Sequence, residues 1–89
     1  MTTYRMKAKV ELTKVDDDLF LVHPGTESIY HLDPIGAGVC RILAEQSSPD
    51  EIFETLYSAF PDMDAAQLRG DMDKLIADLV ESDLLDVSA

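Results

Sequence analysis

The chain has only one cysteine, Cys40, among its 89 residues. A single cysteine excludes an internal disulfide and supplies no pair of thiolate ligands for a structural metal ion. No apolar run approaches the ~20 residues needed to span a bilayer, and no apolar segment typical of a signal peptide lies near the N-terminus. These absences predict one soluble domain over residues 1–89, located in the cytoplasm, with no membrane association, no metal and no cofactor.

Basic residues are also scarce, since seven Lys and Arg stand against 18 Asp and Glu, which gives a net charge of −11. Four of the basic residues fall within the first 14 positions, at Arg5, Lys7, Lys9 and Lys14. A chain this acidic repels phosphate, so nucleic acids and anionic membrane surfaces are disfavoured as partners. The charge is compatible with a basic or polar protein partner.

Alternation of apolar and polar residues predicts three strands in the first third of the chain, at residues 4–13, 19–22 and 28–32. The three aspartates at 16–18 lack the spacing of a calcium loop and are predicted to form a solvated turn between the first two strands. Basic side chains on the polar face of the first strand are predicted to protect a sheet edge against aggregation. That strand is also a candidate dimer edge.

Three helices are predicted after the strands. Asp33 is a good N-cap and Pro34 suits the first helical position, so the first helix begins directly after the third strand. Residues 48–51 form a capping box that starts the second helix, and Asp64 caps a longer third one. The apolar stripe of the third helix consists of Leu68, Met72, Leu75, Ile76, Leu79 and Val80. The predicted fold is α+β and winged-helix-like, a three-stranded antiparallel sheet followed by three helices.

Residues capable of catalysis are few, and none forms a recognisable constellation. His23 and His31 have no further ligand at metal-binding spacing, and Cys40 falls on the apolar side of the first helix, where a buried thiol is expected. Gly36 and Gly38 form only part of a dinucleotide-binding fingerprint and are better explained by close helix packing. We therefore predict no catalytic residue, no metal ligand and no enzymatic activity.

The predicted third strand offers a binding site of another kind. It is held between the turn at Pro24 and the cap at Asp33, and its far edge has no predicted partner. An extended peptide can add to such an edge, with main-chain hydrogen bonds giving affinity and side-chain pockets giving specificity. We predict a peptide-binding groove between this strand and the third helix, formed by Ser28, Ile29, Tyr30, His31, Leu32, Arg69, Met72, Asp73, Ile76 and Val80.

The order and spacing of these motifs resemble the PqqD-like family, whose members are also called RiPP recognition elements. The resemblance rests on the run at residues 29–33, the helix after it, the capping box at 48–51 and the stripe of the last helix. It covers about residues 9–86. The chain departs from the family pattern at Cys40, where an aromatic residue is usual, and before Leu84, where a glycine is missing.

The resemblance implies that the chain binds the leader segment of a ribosomally made precursor peptide as an added strand beside the third strand. It implies that the third helix forms one side of the groove. It also implies that the chain presents the peptide to a modifying enzyme, such as a radical SAM protein or a leader peptidase. Members do no chemistry themselves.

The sequence allows two other functions, each with an observation against it. A winged-helix DNA-binding regulator is allowed by the helix order, but the third helix, which would enter the groove of DNA, is strongly acidic. An acyl carrier protein is allowed by size and charge, but it requires an Asp-Ser-Leu run at a helix start. The nearest match here, at residues 81–84, has the wrong order and position.

Overall fold

The computed structural model describes residues 2–25 and 27–88 and, of Ser28, the main chain only. The predicted order of strands followed by three helices is confirmed, with one further strand at the C-terminal end. The elements are β1 (Thr3–Met6), β2 (Glu11–Val15), β3 (Asp18–His23), β4 (Ser28–Leu32), α1 (Pro34–Ile42), α2 (Pro49–Ala59), α3 (Ala65–Glu81) and β5 (Leu85–Ser88).

Strands β2, β3 and β4 form an antiparallel sheet in that order, so β3 is central and β4 is an edge strand. The turn between β2 and β3 has two residues, Asp16 and Asp17, and Asp16 has a φ of 55°, which aspartate tolerates better than most residues. The predicted solvated turn is therefore confirmed for Asp16 and Asp17, whereas Asp18 is the first residue of β3. The turn also fixes the register of the sheet.

The predicted first strand, residues 4–13, is not continuous. A turn interrupts it, in which the Val10 N–H donates to the Lys7 carbonyl at 3.0 Å. Residues 3–6 pair instead with β5 in a separate two-stranded sheet, where Met6 lies opposite Leu85. The alternation of side chains continues through the turn without glycine or proline, so the sequence pattern gives no sign that the chain changes its pairing partner.

Strand β1 has a hydrogen-bonded neighbour on each side, so the prediction that basic side chains protect a free edge is wrong for residues 3–6, whereas a homodimer stays a prediction. The second side of β1 is occupied by the α1–α2 connection: the Tyr4 N–H donates to the Ser47 carbonyl at 2.8 Å and the Met6 N–H to the Leu43 carbonyl at 2.8 Å. Lys7, just after β1, forms an ion pair with Asp83. Of the basic residues, Lys14 does lie on an edge strand, β2.

The predicted helix caps are confirmed. The Asp33 carboxylate accepts from the Gly36 N–H at 2.6 Å, and Asp64 caps α3 in the same way. Ser48 and Glu51 form a reciprocal capping box, and hydrogen bonds from Ser48 lower the pKa of the Glu51 carboxyl below its ordinary value. Each cap satisfies main-chain donors that the first helical turn leaves unpaired, so the start of each helix is fixed by local sequence.

The apolar faces of the sheet and helices meet in one core. Its buried members are Leu21, Leu32, Val39, Cys40, Leu43, Ile52, Leu56, Leu68, Met72, Ile76, Leu79, Leu84 and Leu85. Gly38 permits the close approach of α1 and α2, since a Cβ there would lie 3.1 Å from Cδ1 of Leu56. Among the helices of residues 2–25 and 27–88, none is long and apolar enough to cross a membrane.

Candidate functional site

One edge of β4 has no strand beside it in the described part of the molecule. The strand register shows which main-chain groups point to that edge. With a two-residue turn, the closing pair Val15 and Asp18 exchanges both main-chain hydrogen bonds between β2 and β3. Main-chain groups alternate in direction along a strand, so Leu21 directs its N–H and carbonyl towards β4. Its partner there is Tyr30.

The same alternation turns the main chain of Ile29 and His31 away from β3. Both residues therefore present an N–H and a carbonyl at the outer edge of β4. Unpaired groups of this kind form a template for another extended chain. The edge that was predicted from the sequence thus has four specific hydrogen-bonding groups.

The side chains of β4 alternate as predicted between the two faces of the sheet. Leu32 is buried in the core, and Tyr30, on the same face, is half-buried. Ile29 and His31 lie on the outer face and are exposed. The two faces of the strand therefore differ in character: one is joined to the helices and the other is open to solvent.

A cleft of about 310 Å³ runs between β4 and α3. Gly36 of α1 lies at its inner side, where a Cβ would come 3.3 Å from Cδ2 of Leu32 and 3.5 Å from Cδ2 of Leu75. Glycine at this position lets α1 approach both β4 and α3 closely. The lining residues are Tyr30, Asp33, Ile35, Gly36, Asp71, Lys74, Leu75 and Asp78.

The lining of the cleft is acidic, with three carboxylates and one ammonium group among its residues. Burial raises the pKa of the Tyr30 hydroxyl above its ordinary value, and the neighbouring carboxylates of Asp78 and Asp33 raise it further. The same carboxylate of Asp78 accepts a hydrogen bond from the Tyr30 hydroxyl. The cleft suits an occupant with donor groups and little negative charge.

The family described as coenzyme PQQ synthesis protein D (PqqD) matches residues 18–85. The chain belongs to the PqqD family. The match includes β3, β4 and all three helices, and so the whole cleft. A comparison with curated protein sequences finds no match.

Two solved structures share the fold of this PqqD-family chain. TbiB1 in complex with the TbiA(beta) leader peptide is 23% identical, with a TM-score of 0.77 over 92% of this chain and 94% of that one. Lasso peptide synthetase B1 complexed with the leader peptide is 17% identical, with a TM-score of 0.75 over 93% of this chain and 96% of that one. The fold shared with these two structures therefore extends over nearly the full length of this chain.

The flank of α3 that faces β4 in this PqqD-family chain is not the predicted one. Met72 and Ile76 are buried in the core and line no groove beside β4. Arg69 points to α2, where it lies 3.1 Å from the Asp50 carboxylate and 5.4 Å from the centre of the Phe53 ring. The structure therefore places none of these three side chains in the cleft beside β4, and their predicted contact with a peptide stays a prediction.

The other two predicted wall residues, Asp73 and Val80, line a separate cleft of about 490 Å³, together with the partly accessible edge of Ile76. That cleft is bounded by Tyr4 and Val87 of the two-stranded sheet and lies on the opposite flank of α3 from β4. Successive residues of a helix are rotated by about 100° around its axis, so residues on either side of the buried stripe form two separate flanks. The stripe alone does not tell which flank lies beside β4, because that depends on how α3 crosses the sheet.

The side chains that first suggest catalysis have structural positions. His23 is buried at the β3–β4 turn, where its Nδ1 accepts from the Gly25 N–H at 3.1 Å. His31 lies 3.4 Å from the Asp18 carboxylate on the outer face and packs edge-on against Phe20. No group of three potential metal ligands occurs within the described ranges.

Cys40 is predicted to be unreactive in the native protein. Burial raises the pKa of its thiol from 9.0 to about 12, which reduces the thiolate fraction at pH 8 by roughly a thousandfold. Ellman's reagent should therefore label native protein at least about a hundredfold more slowly than protein unfolded in urea. Equal labelling rates in the two states would show that the thiol is accessible and ionised, contrary to this structure.

Proposed function

We propose that the chain binds the leader segment of a ribosomally made precursor peptide as an added strand along β4 and presents it to a modifying enzyme. The observation that carries this proposal is the unpaired edge of β4, where Ile29 and His31 present their main-chain groups beside the α3 cleft. Residues 1–89 would act as a single peptide-binding domain in the cytoplasm.

Strand addition accounts for both parts of the site. Main-chain hydrogen bonds to an edge strand give affinity with little dependence on sequence, and pockets for alternate side chains add specificity. The peptide side chain opposite Tyr30 would point into the cleft, towards Leu75. The two structural relatives, each determined with a leader peptide, support the proposal because they share the fold that places β4 beside α3.

The set of proposed contacts changes with the structure. Residues 28–32 remain the proposed strand contacts, with Ser28 through its main chain only. On α3, the proposed contacts become Asp71, Lys74, Leu75 and Asp78 in place of those predicted from the sequence.

We propose that the chain itself does no chemistry. Its buried thiol and its two histidines have structural surroundings, and a separate enzyme, a radical SAM protein or a leader peptidase, would act on the bound precursor. The alternative of a DNA-binding regulator has no support from charge, because the exposed face of α3 carries Asp71 and Asp73 and would repel phosphate.

Two aspartates of α3 test which flank contacts the peptide. Asp71 and Asp73 are both exposed, but only Asp71 lines the cleft beside β4. Asp71→Lys should weaken binding of a basic leader about fivefold to tenfold, since a charge reversal close to the peptide costs about 1 kcal/mol at moderate salt. Asp73→Lys, the same change on the opposite flank, should alter affinity by less than about twofold.

Calorimetry with a synthetic peptide that binds the unaltered protein and carries a basic residue measures both effects. Repeating the titration in high salt should reduce the difference between Asp71→Lys and the unaltered protein, because exposed charges are screened. A larger effect from Asp73→Lys than from Asp71→Lys would show that the peptide lies on the flank of α3 away from β4, which contradicts the proposal.

A further inference from the structure

The side chain of Ile29 is a large hydrophobic group that lies open to solvent. It is 69% exposed, more than any other large hydrophobic side chain within residues 2–25 and 27–88. It lies on the outer face of the sheet, away from α3, and its cross-strand neighbour is Val22 of β3. The two side chains form a short apolar row that ends at the unpaired edge.

A strand added to β4 would extend this row. Its residue opposite Ile29 would share the outer face, because directly opposite residues in a sheet have their side chains on the same side. Their Cβ atoms would be about 4.5–5.5 Å apart, which is contact distance for aliphatic side chains. The added strand proposed above therefore has an inner position at Tyr30 and an outer position at Ile29.

We infer that Ile29 is a specificity-determining residue that selects an apolar side chain at this outer position of the bound peptide. The inference rests on the proposed strand addition and extends it to the chemistry of one peptide residue. A peptide valine, isoleucine or aromatic residue would cover Ile29 and remove apolar surface from water on both chains.

The next outer position of the peptide has more polar surroundings than the position opposite Ile29. It lies opposite His31, whose ring is 3.4 Å from the Asp18 carboxylate and packs edge-on against Phe20. Polar groups are already present there, so a polar peptide residue at this position would reduce affinity little. The expected pattern is a required apolar residue opposite Ile29 and no such requirement two residues along the peptide.

Ile29→Val and Ile29→Thr separate this side-chain effect from the main-chain hydrogen bonds. Both replacements are β-branched, fit a strand and leave the N–H and carbonyl of residue 29 in place. The probe is a phage-displayed library of random 12-residue peptides, selected on each protein and sequenced. Ile29→Pro, which removes the edge donor, is included to identify peptides that bind by strand addition.

With the unaltered protein and Ile29→Val, the selected peptides should share an apolar residue at one fixed position. With Ile29→Thr, that preference should disappear, and peptides selected on the unaltered protein should bind about tenfold more weakly. Proline-sensitive binders without an apolar preference would overturn the inference on Ile29 and leave the proposed function intact. Binders that are insensitive to Ile29→Pro, or no binders at all, would overturn the proposed function itself.

Discussion

Ile29→Pro should weaken leader binding by about a hundredfold while the protein stays folded. Proline removes the N–H that residue 29 presents at the outer edge of β4 and places its ring where the peptide backbone would lie. A peptide carbonyl left unpaired costs about 1–3 kcal/mol, and the steric clash adds to this. The β3–β4 pairing is unaffected, because residue 29 directs no main-chain group towards β3.

Tyr30→Pro is the matched control at the neighbouring position. Residue 30 directs its N–H towards Leu21 of β3, so proline there breaks a hydrogen bond inside the sheet. Circular dichroism and thermal melting should show a clear loss of stability for Tyr30→Pro and little change for Ile29→Pro. Unaltered leader affinity in a folded Ile29→Pro variant would show that the peptide does not use this edge.

Met72→Ala should destabilise the protein by about 2–5 kcal/mol, because its side chain is fully buried among the core residues of α3 and its neighbours. For a domain of this size, such a loss is a large part of the total stability. Urea denaturation followed by circular dichroism measures it. Leader affinity of the fraction that remains folded should be unchanged, since Met72 does not line the cleft beside β4.

Asp73→Ala is the control for Met72→Ala, because Asp73 lies one position along α3 but is exposed. Its loss should change the free energy of unfolding by less than about 0.5 kcal/mol, which is typical of surface sites. A stable Met72→Ala protein with impaired leader binding would instead support the sequence prediction that placed Met72 in the groove.

Local signals in the sequence were sufficient to predict much of this fold. The N-cap at Asp33, the capping box at residues 48–51 and the alternation at 28–32 each depend on a few neighbouring residues. They gave the helix starts and the faces of β4 correctly. The unpaired edge was also predicted, because no further strand follows β4 before the helices begin.

Features that depend on distant pairing were not predictable in the same way. The break at residues 7–10 arises because β1 pairs with β5, some 80 residues away, and nothing in the local pattern marks that choice. The difference on α3 between the predicted groove residues and the residues that line the cleft has the same origin. Asp71 and Asp73 flank one stripe symmetrically, and only the packing of α3 against β4 distinguishes them. The two flanks of α3 therefore become different only through tertiary packing.

Hydrogen exchange of individual amides, measured by NMR with and without saturating leader peptide, shows directly whether the peptide adds to the edge of β4. If it does, exchange at the Ile29 and His31 amides should slow at least about tenfold on binding. Leu12 and Lys14, whose amides face outwards at the opposite edge of the same sheet, should be unchanged. Slowing at Leu12 and Lys14, with none at Ile29 and His31, would contradict the proposed addition of the peptide to β4.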